Sequence, residues 1–307
     1  MPLLRLTVLL AAVGLATSRV GLIVHELGGH GGTAVAFGGE ITDFKLFWFA
    51  GGWIRYDFSG PEHGALWVSL GGIIVEGVIG LALWLLLSRR DTLAVRLARG
   101  VGGALVIHAG WYFATGTWHG YGDGLLVHRA LGDARYPIAI AAGLATCGMA
   151  FVTARLVLGA LAASLPGTRR AKLAGLVVAA LLAGGLQIGL ALAEVAIRGD
   201  STYGAIMRPE RDRVIARELA AWQREQASRG TTITQAERER EQQRLTASHR
   251  ELPFLPFLGA ALVVAVAFGI ARARPAVDPL TPRLVALATA IGAGSIVAVI
   301  AIDALFH

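Results

Sequence analysis

Seven long apolar runs dominate this chain, at about 3 to 24, 64 to 88, 100 to 118, 136 to 164, 171 to 197, 253 to 271 and 283 to 306. A helix needs about 20 residues to cross a hydrocarbon layer of roughly 30 Å, and each run has about that reach. Within a bilayer every backbone N–H and C=O must be satisfied inside the protein, which leaves helices and closed barrels as spanning forms. The runs are rich in Ala, Leu, Val and Gly and lack the two-residue alternation of barrel strands. The expected fold class is all-α: a polytopic transmembrane helical bundle of about six or seven spans, multi-pass in the cell membrane and bathed by the lipid bilayer. With 55% hydrophobic and 16% charged residues, the chain has too few polar side chains to cover a water-soluble surface. Its 40 glycines fit the same picture, because small residues let membrane helices approach closely.

A single cysteine, Cys147, excludes an internal disulfide framework and a thiolate metal cluster. Arg5 ahead of the first apolar run, with small residues at Ala16 and Ser18, also fits a cleavable signal peptide. The polar motif that follows makes better sense if the first helix stays in the membrane.

The net charge of +7 does not point to nucleic acid, because the basic residues are placed as membrane flanks. Arg89, Arg90, Arg96 and Arg99 lie between runs two and three, Arg169, Arg170 and Lys172 between four and five, and Arg272, Arg274 and Arg283 between six and seven. Basic flanks mark the cytoplasmic side, so the N-terminus is expected there and the ends bearing His30 and Asp123 are expected to face outward.

One polar segment, 198–252, mixes eleven arginines with nine acidic residues. Val214, Ile215, Leu219 and Trp222 recur at helical spacing, and Gly230-Thr-Thr-Ile-Thr234 supplies a break with capping residues. A solvated helical hairpin outside the membrane is expected, with a substrate gate or adaptor as its functional alternative.

The chemistry is concentrated in Val24-His25-Glu26-Leu27-Gly28-Gly29-His30. Ionisable residues at the edge of a membrane helix are costly and therefore candidates for function. Imidazole is a good zinc ligand, and a neighbouring carboxylate can take a proton from an activated water. In the familiar zinc-protease helix the histidines stand at i and i+4, whereas five residues separate His25 from His30. Five steps rotate about 140° past a full turn of a regular α-helix, which splays the rings. A π-type turn would realign them, and Gly28 and Gly29 lend the backbone the freedom to form one.

At these residues the chain resembles the site-2 protease family of intramembrane zinc metalloproteases. The extended spacing is also similar to the His-Glu-x-x-x-His motif of the dipeptidyl peptidase III family. The first resemblance implies Zn2+ held by His25, His30 and Asp123, with Glu26 as the catalytic general base and membrane protein segments as substrates. Asp123-Gly124 is similar to the family's Asp-Gly element and follows the third apolar run. Odd-numbered spans run the same way, so the ends of spans one and three lie at one depth and can share an ion. His119, four residues before Asp123, is the alternative ligand. Gly71-Gly72-Ile-Ile-Val-Glu76 resembles a glycine-containing stretch of the family that ends in asparagine, with Glu76 in that place. Glu76 is a candidate to orient substrate or a ligand histidine, or to hydrogen-bond for packing. His108 is expected to act as a helix contact or proton relay.

Residues 40–57 carry β-favouring, partly alternating side chains around Ala50-Gly51-Gly52, which predicts a hairpin. The resemblance makes it a candidate substrate-binding element, suited to edge pairing with an extended segment; the alternative is an interfacial loop anchored by Trp48 and Trp53. The resemblance divides the chain into a catalytic membrane core over 1–135, accessory spans four and five over 136–197, the charged extramembrane segment 198–252, and accessory spans six and seven over 253–307. It implies access to the metal from the cytoplasm, opposite to the arginine count, so sidedness stays open. Two other functions fit the same residues: a zinc-binding, non-proteolytic regulator, and a transporter or scaffold that uses the buried His, Glu and Asp groups as a proton path.

Overall fold

The computed structural model describes residues 2–57, 62–87, 91–273 and 279–306. Arg89, Arg90 and Arg274 of the basic flanks lie outside the described residues. Among the described residues, seven helical spans are long and apolar enough to cross a membrane, and the only sheet is a two-stranded hairpin. The chain is an integral, multi-pass, all-α membrane protein.

Span one is continuous from Pro2 to Ala36: α1 (Pro2–Ile23), a π-helical segment (Val24–Gly31) and α2 (Gly32–Ala36). The hairpin follows as β1 (Glu40–Leu46) and β2 (Gly52–Asp57). Span two is α3 (Glu62–Leu86) and span three is α4 (Leu93–His119). Span four starts with α5 (Gly124–Leu131) and continues through α6 (Arg135–Thr153), a second π segment (Ala154–Leu158) and α7 (Gly159–Ala163). Span five is α8 (Arg169–Arg198). The polar segment forms α9 (Ser201–Ile206), α10 (Glu210–Ser228) and α11 (Gln235–Ser248), and α12 (Phe254–Ala271) and α13 (Pro282–Leu305) complete the bundle.

Hydropathy alone misplaces two helix starts. Span three begins at Leu93, capped by the Thr92 side chain, because Arg96 and Arg99 are accommodated on the helix. Arg96 pairs with Asp91 at 2.6 and 2.8 Å, and the Arg99 guanidinium lies over the Trp84 ring at 4.6 Å, both held by long apolar stems. Span four likewise starts at Gly124 rather than near 136.

The largest apolar core gathers Leu6 and Leu9 of span one, Leu93 and Leu97 of span three, Val157, Ala160, Leu161 and Ala162 of span four with Leu165 just after it, Leu176 and Ala179 of span five and Val285 of span seven. These are the start of each odd-numbered span and the end of span four, so the packing sits at one end of the bundle. The histidine motif sits at the other.

The hairpin folds back against span one. β1 and β2 pair antiparallel from Glu40 opposite Asp57 to Leu46 opposite Gly52, with a bulge between Ile41 and Asp43. Irregular backbone among membrane helices needs protein partners for its polar groups, and buried ionisable side chains provide them here. Glu194 of span five accepts the backbone N–H groups of Trp48, Phe49 and Ala50 at 2.6, 2.6 and 3.1 Å. Arg19 of span one donates to the carbonyls of Phe47 and Phe49 at 2.6 and 3.2 Å. Asp303 of span seven accepts from Leu46 N at 3.0 Å and pairs with Arg198 at 2.7 Å.

The polar segment forms the expected helical hairpin. Ile215, Leu219 and Trp222 of α10 pack on Leu245 of α11, and Thr234 with Glu237 closes a capping box at the start of α11. Ahead of it, α9 lies against the strand hairpin. Asp200 caps α9, accepts from Lys45 at 3.1 Å and from Trp53 Nε1 at 3.2 Å, and Arg55 donates to Thr202 at 2.6 Å.

Candidate metal centre

The five-residue spacing of the histidines is resolved by the widened turn. With Val24–Gly31 wound as a π-helix, His25 and His30 come to one face, with ring centroids 5.0 Å apart and edges meeting at 80°. His25, Glu26 and His30 are all buried.

Asp123 reaches the same point through a tight reversal. α4 ends at His119, and Gly120 and Gly122 take positive φ values of 69° and 50°, a region in which only glycine is at ease. Ser69 Oγ then holds the Asp123 carbonyl at 2.9 Å. The carboxylate stands with Oδ2 3.0 Å from His25 Nε2 and Oδ1 3.1 Å from His30 Nε2.

The opposite edges of both rings are engaged. His30 Nδ1 donates to the Val68 carbonyl at 2.7 Å, and His25 Nδ1 donates to Glu76 Oε2 at 3.1 Å. These partners are acceptors, so each neutral ring carries its proton on Nδ1 and turns the Nε2 lone pair towards Asp123. Three acceptor groups thus face one another in a buried space, and Asp123 Oδ2 receives no hydrogen bond. Such an arrangement calls for a cation. Ligand atoms about 2.0–2.2 Å from a tetrahedral ion lie roughly 3.4 Å apart, close to the spacings seen, and the three residues form a buried group able to hold a metal ion.

The space is kept open by glycine. A methyl group at position 72 would stand 2.5 Å from His25 Nε2 and 2.7 Å from His30 Nε2, filling the cradle between the rings. Gly72 lies ten residues after Glu62, so at 1.5 Å per residue the centre lies about 15 Å along span two.

Glu26 is buried beside this group, close enough to interact electrostatically with His30, His25 and Asp123. Glu76 has a second partner: His108 Nδ1 lies 2.9 and 3.0 Å from its two oxygens. A line His25–Glu76–His108 therefore leads away from the centre to an imidazole that is 61% exposed, stacked on Tyr112.

His119 does not join the group. The helical spacing that would align it with Asp123 ends where Gly120 reverses the chain, and His119 Nδ1 instead meets Glu251 at 2.9 Å. Sequence reasoning missed the Val68 carbonyl, the Gly72 cradle and Tyr112, whose ring centroid is 5.8 Å from that of His25.

No known family model matches the chain, and no curated protein or solved structure matches it.

Proposed function

We propose that the chain is an intramembrane zinc metalloprotease of the cell membrane, similar to the site-2 proteases, that hydrolyses peptide bonds in or near membrane-spanning segments of other proteins. The observation that carries this reading is the convergence of two Nε2 lone pairs and an unsatisfied carboxylate oxygen on one buried point beside Glu26. Two imidazoles and a carboxylate are a donor set that suits zinc and leaves a position open. Zinc, when bound, brings the pKa of a water near 7 and polarises a carbonyl.

The remaining chemistry belongs to the chain. His25 and His30 are fixed in ring orientation by Glu76 and Val68, which raises their quality as ligands. Glu26 takes the proton of the attacking water and delivers it to the leaving amide nitrogen. A helical substrate hides its carbonyls, so it must unwind before attack. The strand hairpin offers edges on which the unwound segment can lie.

A second reading, a proton path, draws on the line from His25 through Glu76 to exposed His108. Elemental analysis of the detergent-purified chain, combined with Glu26→Gln, separates these readings. The protease reading expects about one zinc per chain, retained by Glu26→Gln, with cleavage of a membrane-segment substrate lost in that variant. Equal cleavage by both forms removes it. Zinc without cleavage in the wild type favours a non-proteolytic regulator, and iron in place of zinc, or no metal, overturns the zinc centre.

A further inference from the structure

The polar segment carries a site of its own. Along α10, Arg213, Ala216, Arg217, Ala220 and Arg224 fall on one face, opposite the stripe of Ile215, Leu219 and Trp222 that packs on α11. With Arg208, and Arg129 of α5, they line a groove of about 550 Å³. The two alanines leave its floor open between the guanidinium groups.

The charge in this groove is not balanced. Glu210 is the acid that meets it, pairing with Arg129 at 2.8 Å and with Arg217 at 3.1 Å. Arg213 donates to the carbonyls of Ala205 and Arg208 at 2.8 and 3.1 Å. Among the described residues the guanidinium groups of Arg208 and Arg224 have no hydrogen-bonding or acidic partner. Burial, followed by the crowding of Arg129, Arg208 and Arg217 against the pull of Glu210, holds Arg213 below the ordinary guanidinium range. Five arginines around one carboxylate leave an excess of positive charge, and guanidinium forks match the oxygens of a phosphate.

The groove also has a defined place relative to the spans. Arg129 lies in α5, six residues after Asp123 at the start of span four, and α10 follows the end of span five at Arg198, so the groove lies at the ends of two candidate membrane-spanning helices. The Arg129 side chain is 48% exposed. A phospholipid headgroup at those helix ends would meet this groove, where each arginine strengthens attraction to anionic lipid.

We propose that the groove is a phosphate-binding site filled by the headgroup of an anionic phospholipid. The site takes its affinity from Arg208, Arg224 and the face of α10, and is independent of the metal centre.

The test is native mass spectrometry of the full chain in detergent, titrated with phosphatidylglycerol or phosphatidylcholine. Phosphatidylglycerol is retained by the wild type and phosphatidylcholine is not. Arg208→Gln with Arg224→Gln, which breaks no ion pair, weakens retention roughly 30-fold. The same loss of charge on α11, Arg238→Gln with Arg240→Gln, leaves it unchanged. Equal retention by the wild type and the 208/224 variant overturns the site, as does equal retention of the two lipids. Displacement of the lipid by millimolar inorganic phosphate keeps a phosphate site but overturns the headgroup as its source.

Discussion

Nδ1 of His25 stands 3.1 Å from Oε2 of Glu76, on the edge of the ring away from Asp123. A carboxylate in that position fixes the tautomer and raises the basicity of the Nε2 that faces Asp123, and where such a ring holds a metal the loss of the carboxylate costs about 10- to 100-fold in affinity. Glu76→Gln is expected to bind zinc within that range more weakly while keeping the fold, as measured by competition with a zinc chelator. Unchanged affinity would show that the contact serves packing alone.

The cradle at Gly72 makes a sharper prediction. Gly72→Ala places a methyl group on both Nε2 atoms and should abolish metal binding. Gly77→Ala on the same helix meets only Ala109 at an ordinary 3.8 Å and should retain it. Zinc content of the two purified variants, each checked for helicity by circular dichroism, decides the matter.

Metal should stabilise the fold by mass action. With zinc at about 100 times its Kd, the native state gains about 2.7 kcal/mol over an unfolded state that does not bind it. Chelation is therefore expected to lower the melting temperature of the wild type and to leave His30→Ala unmoved. Identical shifts in both would place the effect elsewhere.

Glu194 is the acceptor for three backbone N–H groups at the hairpin tip. Glu194→Ala leaves these donors without their acceptor in a region largely closed to water, at a cost of roughly 3 kcal/mol or more. Thermal unfolding in detergent should show that loss, and hydrogen exchange should localise it to residues 48–50. Glu194→Gln keeps one acceptor oxygen and is expected to fall between.

The contact between α9 and the strand hairpin should depend on pH. Burial works to raise the Asp200 carboxyl, but hydrogen bonds from Tyr203 N–H, Lys45 and Trp53 outweigh it and hold the group below its ordinary value of 3.8. A depressed carboxyl contributes stability that is complete above its unfolded-state value and disappears as pH falls through the folded-state value. Proteolysis near 199–207 should therefore be slow at neutral pH and rise as the medium is acidified below about 3.8. Asp200→Asn is expected to flatten that dependence.

Much of the fold was legible because the membrane permits few solutions: long apolar runs mark spans, and Gly230 to Thr234 marks a break with a cap. The widened turn was legible too, since two imidazoles five residues apart share a face only when the helix is locally underwound. What sequence could not supply was partnership. Arg19, Glu194 and Asp303 stand out as ionisable residues inside apolar runs, yet their common target, the hairpin, is 28, 144 and 257 residues away at the nearest bonds of each kind. The Val68 carbonyl leaves no trace in side-chain chemistry. His119 misled for a specific reason: a four-residue spacing implies a shared face only if the helix continues, and Gly120 ends it.

The π-helical segment from Val24 to Gly31 can be viewed as a regular helix that has absorbed one additional residue. Excising Gly28, whose added Cβ would touch only Val75 at 3.9 Å, would restore ordinary winding. The two imidazoles would then be four apart and still aligned, with every later residue of the helix left in phase. A shortened chain of that kind should fold and load metal like its parent, so the unusual spacing and the common one become two lengths of the same scaffold.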